Sequence, residues 1–377
     1  MIIMSEITAF DKRDSTRIKG FAILLLLMHH LFCSADRFAG YEISFWPFTQ
    51  DFVVSVSLMM KICVSIFAFI SGFGLCVSIS RVEFTKSSVT SWTLVRMLKT
   101  MSGFYFIYIV CFLATLLINR LPIEIYFSGS RAAGIIYVLV DFLGLSHLFE
   151  TPTLIATWWY MTAALFFIVM VPVVYFLARK IGYIPTVFMV IALPRFMNVG
   201  YPGGGVNPYT FLLPVFFGMI CAEYDVFGKI RSWICRFTNQ VDYRRLLAVN
   251  VSLMAMIVVS WFIFQNISFT KAWELEYGAI PVVVVAFARF GIVGIPLVGR
   301  ALEFIGRHSM TIFLTHNFLR VVYLKDFFYS SGNFLIIFLL LLIASIALAC
   351  VLDMFKKLIG YDRLVSKTVH CVEVWGR

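Results

Sequence analysis

The chain has 377 residues, of which 61% are hydrophobic and 17% aromatic, while only 14% are charged. Its mean hydropathy of +0.92 lies far outside the usual range of soluble proteins, so the composition excludes a water-soluble globular fold and predicts an all-α integral membrane protein. The formal net charge of +11 would suit a nucleic-acid-binding protein, but the positions of the basic residues argue against that class.

Apolar runs of about 20 residues are long enough to cross a bilayer as helices, and the sequence contains about ten of them. If the N-terminus is cytoplasmic, most of the lysines and arginines fall on the inner side, as the positive-inside rule expects for a protein with both termini in the cytoplasm. The basicity therefore reflects topology, and no nucleic-acid partner is expected. The predicted spans are residues 18–34, 52–78, 96–118, 155–177, 182–197, 209–225, 245–267, 278–298, 302–324 and 333–355.

These spans divide the chain into a cytoplasmic N-terminal tail (residues 1–17), one membrane domain (18–355) and a cytoplasmic C-terminal tail (356–377). We expect a multi-pass protein of the cytoplasmic (inner) membrane, in contact with membrane lipid. The eight cysteines include no C-x-x-C pair, and most lie inside predicted spans. Neither a disulfide framework nor a metal site is therefore expected.

The first span, in the stretch TRIKGFAILLLLMHHLF, carries two adjacent histidines behind a basic start. Residues 11 apart on a helix are about 20° from eclipsed and about 16 Å apart along the axis, which places Lys19 and His30 on one stripe. His29 lies about 80° away on a neighbouring face. An ionisable group inside a membrane is costly and usually functional, and histidine can act as a base near neutrality. The geometry favours His30 as the histidine that works with Lys19. The alternative is that both histidines are structural hydrogen-bonding groups.

Two later spans carry further polar groups. His316 lies about 21 Å along the predicted helix 302–324, at a depth similar to that of His30. Arg289, in the middle of span 278–298, is expected near the same level. Three polar groups at one depth predict a buried site, although each is also compatible with a packed structural role. Lys61 is expected to snorkel towards the outer surface.

The residues described so far resemble the acyltransferase-3 family of multipass membrane acyltransferases. Lys19, ten intervening residues and His30 reproduce that family's basic-x10-His signature. Thr162 to Leu165 stand where many members carry a glutamate pair, and Phe313 stands where tyrosine is common. The resemblance runs from about residue 15 to 355, and the other similar segments, in family order, are FAFISGFGL (67–75), RMLK (96–99), WWYMTAALFFIVMVP (158–172), FFGMICAE (216–223) and LEFIGRHSMTIFLTH (302–316).

The resemblance implies a membrane O-acyltransferase that moves an acetyl or other acyl group from cytoplasmic acyl-CoA, as co-substrate, to a carbohydrate acceptor. The acceptor would be a hydroxyl of a cell-surface or exported polysaccharide, or of its lipid-linked precursor. His30 and His316 would be the catalytic residues, with His30 as the base or, alternatively, as a nucleophile that carries the acyl group. Cations at the inner mouth would hold the anionic end of the donor. The residues for that role are Lys19, Arg17, Arg96 and Lys99, and the candidate substrate or oxyanion contacts are Ser71, Trp159 and Arg289.

Plainer interpretations stand beside these. The basic residues Arg17, Arg96 and Lys99 also fit positive-inside topology, and Ser71 also fits a small residue that lets helices pack closely. The alternative function is a multipass transporter of an anionic solute, with histidine and arginine side chains lining a polar path. The phase of Lys19 with His30 favours the enzyme, because a transporter gives no reason for that spacing. The sequence does not predict an oligomeric state.

Overall fold

The computed structural model describes residues 10–196, 207–235, 241–266 and 275–375. Within these residues the chain is helical and forms no strand beyond an isolated bridge between Ser44 and Asn333, which confirms the all-α prediction. The predicted tails lie partly outside the described residues. The described helices are, in chain order, α1 Lys12–Phe32, α2 Gln50–Met59, α3 Cys63–Ile79, α4 Lys86–Ile118, α5 Leu121–Tyr126, α6 Arg131–Phe142, α7 Trp159–Ile181, α8 Tyr183–Phe196, α9 Leu212–Glu223, α10 Val226–Ile234, α11 Tyr243–Asn266, α12 Ile280–Phe287, α13 Pro296–Arg307, α14 Ser309–Asn317, α15 Lys325–Tyr329, α16 Phe334–Leu358 and α17 Tyr361–Trp375.

Five of the described helical segments are long and apolar enough to cross a membrane, or six if one pair bent by 55° forms a single span. Helix α1 is not among them, because four basic residues, one aspartate and two histidines reduce its apolar character. The full set of about ten spans and the cytoplasmic location of both termini therefore stay predictions. The five segments are Gln50–Ile79, Lys86–Ile118, Ala156–Ile181, Tyr243–Ile263 and Phe334–Leu358, and the bent pair is Pro208–Glu223 with Val226–Ile234.

One predicted span is wrong as a continuous helix. The sequence predicts one segment over residues 302–324, but α13 ends at Arg307 and α14 begins at Ser309, with His308 between them. A π-helical turn, Phe318–Tyr323, then follows α14. The depth of His316 therefore cannot be measured along one helix from Leu302.

The chain falls into two compact units. The first comprises residues 1–40, 45–81 and 170–309. Within it α1 packs closely against α13, since a Cβ at Gly20 would overlap the carbonyl oxygen of Leu302 and a Cβ at Gly306 would overlap that of Thr16. Small residues allow such close approach of helix backbones in membranes.

The second unit comprises residues 41–44, 82–169 and 310–377. Its core includes the buried Asp141 carboxylate, which accepts hydrogen bonds from the Tyr126 hydroxyl at 2.5 Å and the Leu154 amide at 2.9 Å. Helix α17 packs on α4, where the Tyr361 hydroxyl donates to the Ser102 carbonyl at 2.9 Å. The predicted C-terminal tail is thus helical over much of its length.

Candidate active site

Helix α1 runs without interruption from Lys12 to Phe32, so Lys19 and His30 lie on a single helix. Its start is fixed by a capping box in which the Asp11 carboxylate accepts from the Asp14 amide at 2.8 Å and the Asp14 carboxylate accepts from the Asp11 amide at 3.3 Å. Lys19 and His30 are both half-buried. Among the described residues Lys19 forms no ion pair, so its charge is not neutralised by a carboxylate.

His29 anchors the other end of α1. Its Nδ1 lies 2.9 Å from the carbonyl oxygen of Ser57, and because a carbonyl only accepts, Nδ1 carries the proton and donates. Ser57 is in the last turn of α2, where backbone carbonyls lack an intrahelical partner. The His29 and His30 ring centroids are 5.3 Å apart. The contact with Ser57 supports a structural role for His29.

Arg289 lies at the opposite end of α1 from His30. Its Nε is 3.0 Å from Oδ2 of Asp14, and both side chains are only 6% exposed. Asp14 precedes His30 by 16 residues on the same helix, which is about 24 Å along the axis. The expectation that Arg289 shares the depth of His30 is therefore wrong, and Arg289 is no longer a candidate for the oxyanion contact. The buried guanidinium needs a counter-ion, and Asp14 supplies it.

A second charged cluster joins α1 to α13. Oε2 of Glu303 accepts from Nε of Arg13 at 2.7 Å and from Nε of Arg17 at 3.3 Å, while Oε1 accepts from Arg307 at 2.6 Å. Glu303 lies outside every candidate membrane-spanning helix, and the hydrogen bond from Arg13 contributes most to lowering its pKa to about 2. Three guanidinium groups around one carboxylate leave the cluster with net positive charge.

Sequence reasoning missed both acidic partners. The predicted boundaries place Asp14 in the cytoplasmic tail and Glu303 at the start of a span. The D-x-x-D pattern at Asp11 and Asp14 is typical of a capping box and was the available signal for the first. For Glu303 the signal was its spacing of four residues from Arg307 on a helix. Neither signal identifies the distant partner, because those contacts depend on how the helices pack.

The second unit contains His316, which is completely buried on α14. Its Nδ1 lies 2.8 Å from the carbonyl oxygen of Phe313 and 3.1 Å from that of Ile312. Because these carbonyls only accept, Nδ1 carries a proton, and in the neutral ring the lone pair lies on Nε2. His316 can therefore accept a proton or a hydrogen bond only through Nε2.

Several buried hydrogen bonds hold α14 in place. The indole Nε1 of Trp158 donates to the carbonyl oxygen of Leu314 at 3.0 Å, and the amide of Asn317 donates to the Thr157 hydroxyl at 3.3 Å. Nε of the buried Arg320 donates to the Asn317 side chain at 3.0 Å. The tryptophan that makes the contact to α14 is thus Trp158, whereas the predicted Trp159 is half-buried beside it, with its ring 6.0 Å from that of His147.

The remaining predicted residues fall in different surroundings. Nζ of Lys99 lies 3.2 Å from Oε1 of Glu373 on α17, and the Arg96 guanidinium lies 5.8 Å from the Trp92 ring centroid. Ser71 is half-buried on α3. Among the described residues no group of three histidine, cysteine or acidic side chains is placed to hold a metal ion. The first unit contains Arg17, Lys19, His30 and Ser71, and the second contains Arg96, Lys99, Trp159 and His316.

A comparison with protein-family models finds a match over most of the chain. The model of the acyltransferase-3 family, described as an acyltransferase domain, matches residues 16–354. The matched region includes Lys19 and His30 and ends within α16, before α17 begins. No curated protein and no solved structure matches the chain.

Proposed function

Because the chain belongs to the acyltransferase-3 family, we propose that this multipass membrane acyltransferase moves an acetyl or related acyl group from acyl-CoA to a carbohydrate hydroxyl. One structural observation supports the proposal: an uninterrupted helix bears Lys19 and, 11 residues later, His30. The acceptor in this proposal is a cell-surface or exported polysaccharide or its lipid-linked precursor, and the enzyme resides in the cytoplasmic membrane.

The charges at the start of α1 suit the anionic end of acyl-CoA. Lys19 has no ion pair within the described residues, and its ammonium is available to a phosphate. Arg17 is held by Glu303 through Nε, which leaves its terminal amino groups to bind phosphate oxygens. The rise of about 16 Å from Lys19 to His30 is comparable to the reach of an extended pantetheine arm. In the second unit Arg96 and Lys99 are further cations for the same role.

His30 is the proposed base. It takes the proton from the acceptor hydroxyl, whose oxygen then attacks the thioester carbonyl. The tetrahedral oxyanion collapses, the carbon–sulfur bond breaks, and the CoA thiolate takes the proton back from the His30 imidazolium. His316 assists through Nε2, and Ser71 and Trp159 are the proposed contacts to the acceptor or the oxyanion. The products are the acylated carbohydrate and free CoA.

The alternative, a transporter of an anionic solute, loses part of its support. It relied on Arg289, His30 and His316 lining a polar path, but Arg289 is paired with Asp14. Family membership independently favours group transfer over transport. The enzyme is therefore the proposal to be tested.

The test uses membranes that contain the full-length protein, radiolabelled acetyl-CoA and the surface glycan of the host. We expect His30→Ala to reduce the transfer rate at least about a hundredfold, the usual contribution of a general base. Lys19→Ala should raise the KM for acetyl-CoA about tenfold, and His29→Ala, the matched neighbour, should have a much milder effect. Equal transfer by wild type and His30→Ala would refute the proposed role of His30.

A further inference from the structure

A polar segment lies where the apolar helices α2 and α3 meet. It consists of Ser57 in the last turn of α2, Lys61 in the 3-10 turn Met60–Ile62 and Ser65 in the first turn of α3. All three lie within a stretch of 30 residues that is apolar enough to span a membrane. A charged side chain inside such a span is costly and usually marks a functional site.

This polar segment lies beside the proposed catalytic histidine. The Ser57 carbonyl accepts from His29, the residue next to His30, and the 3-10 turn that carries Lys61 packs against α1. Side chains on a helix incline towards its N-terminus, so the long Lys61 side chain extends back towards the level of Ser57. The turn that carries Lys61 thus packs on the helix that carries both Lys19 and His30.

The Lys61 ammonium is held by a ring and not by a carboxylate. Nζ lies 5.7 Å from the ring centroid of Tyr277, which is only 3% exposed and belongs to the π-helical turn Leu275–Ala279. This distance is within the range of a cation–π contact. Among the described residues Lys61 has no acidic partner. The contact places the amine against a buried ring, and a cation–π contact leaves its N–H donors available.

The two serines add unused hydrogen-bonding groups. The side chains of Ser57 and Ser65 are completely buried, and their hydroxyl groups have no hydrogen-bond partner among the described residues. A buried polar group without a partner costs free energy, and most such groups in proteins are satisfied. Two unsatisfied hydroxyls one turn on either side of Lys61 are the donors and acceptors that a carbohydrate ligand would use.

We propose that Lys61 binds an anionic oxygen group, a carboxylate or a phosphate, on the carbohydrate acceptor, with Ser57 and Ser65 beside it. This inference rests on the proposed function, because it takes the acceptor to be a carbohydrate. It adds the substrate class: the acceptor is acidic, through a hexuronate-type sugar or a diphosphate that links the sugar to its lipid carrier. Lys61 is an acceptor-binding residue and takes no part in the proton transfer.

The experiment measures binding with the full-length protein in lipid nanodiscs, by equilibrium dialysis of three labelled oligosaccharides. The first contains hexuronate, and the second is its carboxyl-reduced counterpart, which differs only in charge. The third is the reduced oligosaccharide on a polyprenyl diphosphate, which separates a phosphate from a carboxylate. The variants are Lys61→Met, which keeps the length of the side chain without its charge, and Lys61→Arg. Lys229→Met is the matched control, because it removes an exposed lysine whose Nζ lies 5.8 Å from the Tyr224 ring centroid.

We expect wild type to bind one of the two acidic ligands about tenfold or more tightly than the neutral one, the effect of one charge-assisted hydrogen bond. Lys61→Met should abolish that preference without changing the binding of the neutral ligand or of acetyl-CoA. Lys61→Arg and Lys229→Met should retain it. Equal binding of all three ligands by wild type, or an unchanged preference in Lys61→Met, would overturn the proposal.

The same preparations are assayed for acetyl transfer, which separates this proposal from the proposed function. Binding that depends on Lys61 without any transfer would refute the acyltransferase reaction and leave the anion site in place. Transfer that proceeds equally to acidic and neutral acceptors would support the reaction and refute the role of Lys61.

Discussion

Asp14 and Arg289 form a buried ion pair that joins the first turn of α1 to the π-helical turn Ala288–Ile292, with 3.0 Å between Oδ2 and Nε. Removing one partner of such a pair leaves an uncompensated buried charge, which costs about 3–5 kcal/mol. We therefore expect Arg289→Met to lower the free energy of unfolding by about this amount, measured by chemical denaturation in detergent micelles.

The matched control is Arg179→Met. Arg179 pairs with Glu223 at 2.8 Å, but its side chain is 61% exposed, so the loss should be about 1 kcal/mol or less. The exchanged pair Asp14→Arg with Arg289→Asp should recover part of the stability that Arg289→Met loses. If the two methionine variants were equally stable, the Asp14–Arg289 pair would not anchor α1.

The contact between α1 and α13 gives a second prediction. A Cβ at Gly20 would overlap the backbone of Leu302, so Gly20→Ala must push the helices apart, at a cost of about 1–3 kcal/mol. Gly74→Ala on α3 is the control, because a Cβ there meets no atom within 4 Å and alanine favours the helix. Thermal unfolding, monitored by fluorescence-detection size-exclusion chromatography, should show a lower melting temperature for Gly20→Ala but not for Gly74→Ala. An unchanged melting temperature would mean that α1 and α13 do not pack at this distance.

The helical class and the single helix that carries Lys19 and His30 could be predicted from the sequence. Both depend on local periodicity, and α1 has a capping box and no interior proline to interrupt it. The depth of Arg289 could not be predicted from the sequence. Counting residues along a predicted span gives a depth only if the start of that span lies at a known level in the membrane. The ion pair with Asp14 places Arg289 beside the first turn of α1, and this contact depends on the packing of segments that are far apart in the sequence.

The break at His308 explains a second error. The sequence 302–324 is apolar enough on average to suggest one span, but Glu303 and Arg307 lie on a helix that packs against α1 through Gly306. Average hydropathy does not distinguish such a short helix with charged residues from the start of a span. The contacts that distinguish the two come from α1, where Arg13 and Arg17 donate hydrogen bonds to Glu303 on α13.

The Glu303 cluster gives a prediction on pH. The pKa of Glu303 is lowered to about 2, mainly by the hydrogen bond from Arg13, whereas a carboxyl in an unfolded chain has a pKa of about 4.3. A lowered pKa in the folded state means that the ionised carboxylate stabilises the fold above about pH 4.3 and that this contribution is lost as the pH falls towards 2. Wild type should therefore unfold at a higher temperature than Glu303→Gln, by a margin that is constant from pH 8 to 5 and narrows below about pH 4. A margin that changed between pH 8 and 6 would show that another group controls it.

Trp158 gives the last prediction, because it connects the predicted tryptophan segment to the helix of His316. Its indole is 1% exposed and donates to the carbonyl oxygen of Leu314, two residues before His316. Trp158→Phe keeps an aromatic ring but leaves that buried carbonyl without its donor, which costs about 1–3 kcal/mol. We expect lower thermal stability together with a reduced kcat for acetyl transfer, at an unchanged KM for acetyl-CoA. Trp46→Phe is the control, because Trp46 is 78% exposed and its substitution should leave both quantities at the wild-type value. A Trp158→Phe enzyme with wild-type kcat would show that the Trp158 hydrogen bond supports the fold but does not position His316 for the reaction.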